Sequence, residues 1–406
     1  MTTASLTVKQ GDLLTDSQSP ARGRTALLPA LTGVRFFAIF HIFMFHLWDL
    51  YNLEKPDKFA DLMIGFAGLP ETLVTFISHG WLSTSFFFLL SGFILAYLYW
   101  GEDGRLVTGK KRFWLLRFSR IYPIHIGLMI ITVILIANHH LSNDMPVWEM
   151  VLTALATLTL LQAWYPPAVP LWSWPTWTLS ALIFLYLLTP WLMRLLGGLT
   201  RRRMIWTLAA MPVVSLLPTI VYAIIVPAGT KLELHWSIFL GSTPLFWLPH
   251  FMAGMLLSRI FSISRYNTAW KSARTSRFAW GDVALLAVIG IACMPGMGEE
   301  PLKYFLRHGM IMPLYMLVIL DLARGNGWAA RFFSLPGMGF LGETGFSIFI
   351  WQNLIMIFCW ISLMISPNAG AYHLWAAPVA VIIIAIISTY WIEKPIAGWL
   401  RRKIAD

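Results

Sequence analysis

The stretch that decides the fold is LTGVRFFAIFHIFMFHLWD, residues 31–49. It belongs to an apolar run of about 20 residues, the length that spans a hydrocarbon core of roughly 30 Å. The sequence therefore predicts an all-α, polytopic transmembrane helix bundle with about ten spans. The candidate spans are residues 30–51, 79–100, 113–137, 178–198, 204–226, 241–261, 280–297, 305–322, 342–364 and 372–393.

The composition excludes an ordinary soluble protein. Of 406 residues, 58% are hydrophobic and 12% charged, and the mean hydropathy is +0.67, whereas soluble domains carry about 25% charged residues. The net charge of +11 is better explained by basic residues retained on the cytoplasmic side than by nucleic acid. We therefore expect membrane lipid, and no nucleic acid, as a partner. Cys293 and Cys359 lie in apolar runs, so neither a disulfide framework nor a metal site is expected.

The distribution of Lys and Arg predicts the orientation in the membrane. When the loops are assigned alternately to the two sides, one side receives 25 of the 30 basic residues. Because cytoplasmic loops are enriched in Lys and Arg, both termini are predicted to be cytoplasmic, in a bacterial inner (plasma) membrane. The basic residues left outside are Lys55, Lys58, Lys231, Lys303 and Arg307.

A further apolar stretch, residues 147–163, is predicted not to cross the membrane. If it crossed, Arg201, Arg202 and Arg203 would fall on the outer side, against the charge rule. We expect it to be re-entrant or to lie against the other helices, covered by protein because lipid cannot satisfy non-helical backbone.

The predicted organisation is one membrane unit between two short tails. Residues 1–28 are expected to form a cytoplasmic N-terminal tail, because the first 26 residues are polar and lack the features of a signal peptide. Residues 29–398 form the transmembrane domain, and residues 399–406 form a cytoplasmic C-terminal tail.

The first span carries ionisable side chains that are costly inside a bilayer and are therefore functional candidates. Arg35 lies near the cytoplasmic end, and His46 lies 11 residues further on, a rise of about 16 Å along a helix. An imidazole titrates near neutrality and can take a proton from a hydroxyl, as acyl transfer to an alcohol requires. The alternative is a hydrogen-bonded core histidine with a snorkelling arginine. Asp49, three residues after His46, either orients the imidazole or is solvated at the helix end, and His41 is predicted to be structural.

Two arginines begin the third span, in the sequence Arg117-Phe-Ser-Arg120-Ile-Tyr122-Pro123. They are three residues apart on one cytoplasmic face. A pair of guanidinium groups suits phosphate, although basic residues at this boundary are common in any membrane protein.

Together, several segments resemble the membrane-bound acyltransferase family 3. No one of them is specific, but six occur in the family's order between residues 31 and 395. They are Arg35–x10–His46, Ser85-Phe-Phe-Phe-Leu-Leu-Ser91-Gly92-Phe93, Arg117-x-x-Arg120 with Tyr122-Pro123, Trp177-Thr-Leu-Ser180 followed by Tyr186, Leu341-Gly with Gly345-Phe-Ser347-Ile-Phe-Ile-Trp351, and Ile392-Glu393-Lys-Pro395.

The resemblance implies about ten spans and transfer of a short acyl group, above all acetyl, from coenzyme A to a hydroxyl of a sugar or natural product. By resemblance, His46 is the base and Arg35 positions the thioester arm. A cytoplasmic site for the acyl-CoA donor would be formed by Arg117, Arg120, Tyr122 and Ser91. The acceptor would contact Trp172, Trp174, Trp177, Tyr186 and Gln352. The tryptophans are equally compatible with an interfacial aromatic belt.

Two positions depart from the family pattern. Leu182 stands where the family usually has a glutamate, and Gln352 stands where a motif usually ends in histidine. The missing glutamate leaves open a different acceptor geometry, replacement by Asp49 or another acid, or an impaired enzyme.

The sequence thus favours an integral membrane O-acyltransferase. A transporter or flippase for an amphipathic substrate is the alternative from another class, and a catalytically weakened relative that binds acyl-CoA is a third. The acceptor, the acyl chain length and the oligomeric state are left open.

Overall fold

The computed structural model describes residues 28–53, 66, 68–101, 103–226, 233–264, 279–365 and 370–405. Within them the chain is helical, and no strand is longer than an isolated bridge between Trp100 and Leu106. Most of the predicted N-terminal tail, together with Lys55, Lys58 and Lys231, lies outside the described residues. The helices are α1 Pro29–Leu53, α2 Glu71–Ser78, α3 Leu82–Tyr99, α4 Lys110–Ser142, α5 Val147–Leu158, α6 Trp177–Gly197, α7 Arg201–Val214, α8 Leu217–Ile225, α9 Leu234–Ser242, α10 Pro244–Ser264, α11 Trp280–Ala292, α12 Met312–Arg324, α13 Gly327–Phe333, α14 Pro336–Glu343, α15 Gly345–Ile365, α16 Gly370–Ile387 and α17 Lys394–Ala405.

The all-α, multi-pass architecture is confirmed. Nine helical segments of the described chain are long and apolar enough to cross a membrane. They are Pro29–Leu50, Leu82–Tyr99, Lys110–Ser142, Trp174–Gly197, Arg201–Ile225, Leu234–Ser264, Leu302–Arg324, Gly345–Leu363 and Tyr372–Leu400.

The predicted span 280–297 is shorter than expected. Helix α11 has 13 residues, about 20 Å at 1.5 Å per residue, and ends at Ala292. The chain then turns through Pro295 and Gly296, whose φ of 80° leaves the helical region. Sequence hydropathy overlooked this break, because Met294 and Met297 keep the stretch apolar on either side of it.

The stretch predicted not to cross the membrane forms a short helix and irregular turns. Helix α5 has 12 residues, about 18 Å, which is too short for a hydrocarbon core of roughly 30 Å. Two short 3₁₀ turns, Gln162–Trp164 and Pro166–Ala168, follow it. The buried amide of Gln162 donates to Thr176 Oγ1 at 3.1 Å, which ties these turns to the start of α6.

Small residues let the helices around α1 approach closely. Helices α3 and α10 cross at Gly92 and Gly254, where an added Cβ would lie 2.0 Å from the backbone oxygens of Phe251 and Leu89. In a membrane, where lipid removes most of the hydrophobic effect between helices, such close van der Waals contacts stabilise helix packing. Helix α1 contacts α2, α3, α13, α14 and α15, so its ionisable side chains lie within the bundle.

Candidate active site

A cavity of about 150 Å³ lies beside the C-terminal half of α1. Its walls come from α1, α3, α6, α9, α15, the turn before α6 and the segment before α12. The distribution of Lys and Arg predicts that this end of the bundle lies away from the cytoplasm. The polar residues that line it are His46, Asp49, Thr84, Thr178, Ser237, Ser242, Lys303 and Arg307.

His46 and His41, five residues apart on α1, have opposite surroundings. Both ring nitrogens of His41 are paired, Nδ1 with Ser83 Oγ at 2.9 Å and Nε2 with the Phe76 carbonyl at 2.7 Å. The His46 ring lines the cavity, and within the described chain no hydrogen bond pairs either of its nitrogens. The arrangement leaves His46 available to a ligand and commits His41 to the fold.

Asp49 lies on the same wall as His46, one helical turn further along. Lys303 is its electrostatic neighbour and lies in turn within range of Glu300. Asp49 therefore shares the cavity with the Lys303 cation and with the His46 imidazole.

Sequence reasoning missed Lys303 and Arg307 as members of the site and counted them only as outer-side charges. They are four residues apart, in the helical turn Leu302–Phe305 and the π-helical turn Leu306–Met310. Arg307 falls inside the predicted span 305–322, so the same rule that singled out Arg35 and His46 could have found it. The structure adds that both cations share a cavity with His46.

The predicted acceptor residues separate into two groups. Trp174 and Trp177 line the cavity. Trp172 does not: it is buried, donates from Nε1 to Thr153 Oγ1 at 3.0 Å and packs edge-on against His140. Tyr186 and Gln352 are also absent from the cavity wall. The Gln352 amide is fully buried, and neither its oxygen nor its nitrogen has a hydrogen-bond partner.

The predicted donor residues lie toward the opposite end of the bundle. Arg117 Nη2 donates to the Tyr99 hydroxyl at 2.6 Å, and its guanidinium lies 4.8 Å from the Tyr99 ring centre. Tyr122 donates to the Thr159 carbonyl at 3.2 Å. Ser91 is half-buried on α3. None of these residues lines the cavity.

Arg35 and Arg120 form a second charged region, near the start of α15. The aliphatic stem of Arg35 lies against Gly345, and Arg120 and Tyr186 are its electrostatic neighbours. Arg120 is exposed and lies within electrostatic range of Glu343 and Glu393. Burial by itself would raise the pKa of Glu343, but hydrogen bonds from Lys394 and Tyr390 leave it below its usual value. Glu343 is therefore a carboxylate at neutral pH.

Leu182, at the position where the family usually has glutamate, is buried in the main hydrophobic cluster. It lies one helical turn beyond Thr178, which lines the cavity, and it is itself absent from the wall. Within the described residues, no acidic side chain of α6 lines the cavity in place of this glutamate. The acidic residue that lines the cavity, among the described residues, is Asp49.

The structure is that of a multi-pass membrane protein with a cavity between its helices. The cavity is lined by a carboxyl group, two cations and an imidazole that forms no hydrogen bond within the described chain. A family model described as an acyltransferase domain matches residues 28–394. The chain belongs to this family, the membrane-bound acyltransferase family 3 that the sequence motifs indicated.

The curated proteins include one relative that matches part of the chain. It is the acyltransferase MdmB of Streptomyces mycarofaciens, 34% identical over 191 residues. The match covers 46% of this chain and 44% of that relative. No solved structure matches the chain.

Proposed function

We propose that the protein transfers a short acyl group, acetyl above all, from coenzyme A to a hydroxyl group of a carbohydrate or natural product. The observation that carries this proposal is the His46 imidazole, unpaired at both nitrogens and facing a cavity of about 150 Å³. A cavity near this size accepts a molecule such as benzene. It has room for an acetyl group and the hydroxyl-bearing carbon of an acceptor.

His46 is the general base of the proposed reaction. It takes the proton of the acceptor hydroxyl while the oxygen attacks the thioester carbonyl. As the tetrahedral intermediate collapses, the carbon–sulfur bond breaks, and His46 returns the proton to the leaving thiolate. Asp49, one turn away on the same helix, is proposed to orient the imidazole once substrate fills the cavity, because the two side chains share no hydrogen bond in the described chain.

The donor is proposed to approach from the end of the bundle that carries Arg35, Arg117 and Arg120. Arginine pairs bind phosphate in a planar, bidentate way, which suits the phosphates of coenzyme A. Arg35 and His46 are separated by about 16 Å of helix, so an extended pantetheine arm would run along α1 between the two regions. The charge pattern supports a donor site on the cytoplasmic side of an inner membrane, with both termini on the same side.

The acceptor is proposed to enter past Trp174 and Trp177. Both line the cavity, and aromatic faces stack well on sugar rings and on apolar natural products. The acceptor would therefore be approached from the outer half of the membrane.

The test is acyl transfer by purified protein in lipid nanodiscs, with radiolabelled acetyl-CoA and a panel of saccharide and natural-product alcohols. Replacing His46 with glutamine should lower kcat about 10²- to 10⁴-fold and leave acetyl-CoA binding intact, because only the proton transfer is removed. The matched control is His41→Gln on the same helix. It should lower thermal stability and keep the kcat of the folded fraction.

Undiminished kcat in His46→Gln would remove His46 from the mechanism. Octanoyl-CoA provides a second arm of the same experiment, because an eight-carbon acyl chain together with the acceptor carbon is too large for a cavity of about 150 Å³. Equal kcat/KM for octanoyl-CoA and acetyl-CoA would overturn the assignment to a short acyl group.

A further inference from the structure

Arg307 lies in the wall of the same cavity as His46, and the chain holds its guanidinium on three sides. Nη2 donates to the Gly241 carbonyl at 3.2 Å. The guanidinium carbon lies 5.8 Å from the ring centre of Trp177 and 5.3 Å from that of Trp247, within the range of a cation–π interaction. Trp247 is fully buried and stacks at 4.6 Å on Phe88, so this aromatic support is rigid.

The backbone beneath Arg307 is equally well fixed. Its carbonyl accepts a hydrogen bond of 2.5 Å from Ser85 on α3. The residue belongs to the π-helical turn Leu306–Met310, a local widening of the helix that is frequent at functional sites. Guanidinium and backbone are therefore both pre-positioned before any ligand binds.

Unlike Lys303 and Arg120, Arg307 has no carboxylate as an electrostatic neighbour in the described part of the chain. Lys303 has Asp49 and Glu300 within electrostatic range, and Arg120 has Glu343 and Glu393. For Arg307, the neighbouring group whose electrostatic effect favours the charged guanidinium is the Tyr304 phenol. No ion pair to it is present in the described part of the chain, and its buried Nε has no hydrogen-bond partner.

An uncompensated charge inside a bilayer protein is costly, and such groups mark functional sites. The charge that would balance Arg307 therefore comes from something that enters the cavity. The cavity is small, about 150 Å³, so a carbonyl group that reacts beside His46 lies close to Arg307 as well.

We propose that Arg307 is a catalytic residue that binds the carbonyl oxygen of the thioester and stabilises the negative charge this oxygen acquires during acyl transfer. The inference rests on the proposed function and deepens it. As the acceptor oxygen bonds to the carbonyl carbon, the electron pair of the carbon–oxygen double bond moves onto the oxygen, where N–H groups of Arg307 donate to it. The pair returns when the carbon–sulfur bond breaks, and the proton follows the path through His46 to the thiolate.

A permanently charged acceptor is the competing source of the balancing anion. A phosphate or carboxylate on the substrate would have to share a cavity of about 150 Å³ with the acyl group and the hydroxyl. The cavity size thus favours the charge that develops on the reacting carbonyl itself.

The experiment compares kcat and KM for Arg307→Gln and Arg307→Lys in nanodiscs with the thioester that the wild type turns over. Loss of a preorganised donor to an oxyanion costs about 10²- to 10³-fold in kcat. We expect this loss for Arg307→Gln, with both KM values within about threefold of wild type, and a smaller loss for Arg307→Lys. The matched control is Arg259→Gln: Arg259 also donates to a backbone carbonyl, of Gly101 at 2.7 Å, and lies 5.4 Å from the Trp100 ring.

A second measurement separates catalysis from packing. Because Arg307 carries an uncompensated charge, Arg307→Met should leave the melting temperature unchanged or raise it, whereas Arg259→Met should lower it. Gly241→Ala provides a variant that keeps the arginine. Its Cβ would lie 3.1 Å from Nη1 of Arg307, so it should displace the guanidinium and lower kcat by an intermediate factor.

Three outcomes would overturn this inference: undiminished kcat in Arg307→Gln, a raised acceptor KM at constant kcat, or a melting temperature that falls in parallel with kcat in Arg307→Met. The second outcome would identify a site for an anionic acceptor. These results differ from failure of the proposed function, in which the wild type itself would transfer no acyl group from any thioester.

Discussion

Arg120 and Arg307 are both arginines of one membrane domain, but they occupy opposite electrostatic surroundings. Arg120 is exposed and lies near Glu343 and Glu393, so its charge is balanced before any ligand arrives. Arg307 lies in a cavity between two indoles with no carboxylate paired to it in the described chain. A balanced, accessible cation suits reversible binding of a substrate. An unbalanced, enclosed cation suits a charge that exists only during the reaction.

The two regions also differ in how they relate to His46. The cavity unites His46 with Asp49, Lys303 and Arg307, whereas Arg35 lies about 16 Å away along α1 beside Arg120. The separation is comparable to the length of an extended arm between a phosphate anchor and a reactive carbonyl. The first helix therefore connects a proposed binding region to a proposed reaction chamber.

The largest effect expected at the binding region comes from removing both arginines of the third span. Arg117→Gln with Arg120→Gln should raise the KM for acetyl-CoA about 10- to 100-fold, since a hydrogen bond to a charged group contributes about 1.5–3 kcal/mol. The kcat should change little. Initial rates over a range of acetyl-CoA concentrations give the two constants separately.

Two controls make this prediction specific. Arg112→Gln changes an exposed arginine of the same helix and should leave the KM unchanged. Acetyl-pantetheine lacks the phosphates, so its KM should be the same for the wild type and the double variant. A double variant with normal affinity for acetyl-CoA would break the assignment of this region to the donor.

A smaller effect is expected from placing the family's usual glutamate at position 182. Leu182 is 4% exposed and belongs to the main hydrophobic cluster rather than the cavity wall. Leu182→Glu should therefore lower the melting temperature, because burying a carboxyl without a partner costs about 1–3 kcal/mol, and it should not raise kcat. Leu182→Met, which keeps the volume, is the control. A rise in kcat with Leu182→Glu would show that the absence of this glutamate weakens the enzyme.

The smallest effect concerns the two tryptophans that flank Ser173. Trp174→Phe should raise the acceptor KM a few-fold, because Trp174 lines the cavity and an aromatic contact contributes about 0.5–1.5 kcal/mol. Trp172→Phe should lower stability and leave that KM unchanged, since Trp172 is buried and bonded to Thr153. Acceptor titrations and thermal melts of both variants test the contrast. An equal change in KM for the two would mean that both contact the acceptor.

Much of the fold follows from local patterns. Nine of the ten predicted spans match a helical segment of the described chain to within seven residues at each end. The exception, α11, stops early because Pro295 and Gly296 interrupt a stretch whose hydropathy remains high. Charge counting, rather than hydropathy, predicted that residues 147–163 do not cross the membrane, and the structure has a helix of 12 residues there, Val147–Leu158.

The candidate site was only partly accessible to the same reasoning. His46, Asp49, Trp174 and Trp177 were predicted from one helix and one motif, and the cavity contains all four. Lys303 and Arg307 lie more than 250 residues after His46 and Asp49, and the sequence analysis counted them only as charges on the outer side. The sequence also could not separate Trp172 from Trp174, because both lie in one aromatic run.

The sequence by itself determined that this chain spans a membrane many times, that it belongs with acyltransferases, and which end of the first helix carries the imidazole. The membrane spans and the position of the imidazole follow from the local composition and spacing of residues, whereas the relation to acyltransferases follows from the resemblance of six motifs to that family. Only the tertiary structure decided that His41 is paired and His46 is open, and that an arginine without a carboxylate faces the same cavity. Pairing and burial depend on side chains brought together from distant helices, and no local pattern encodes that proximity.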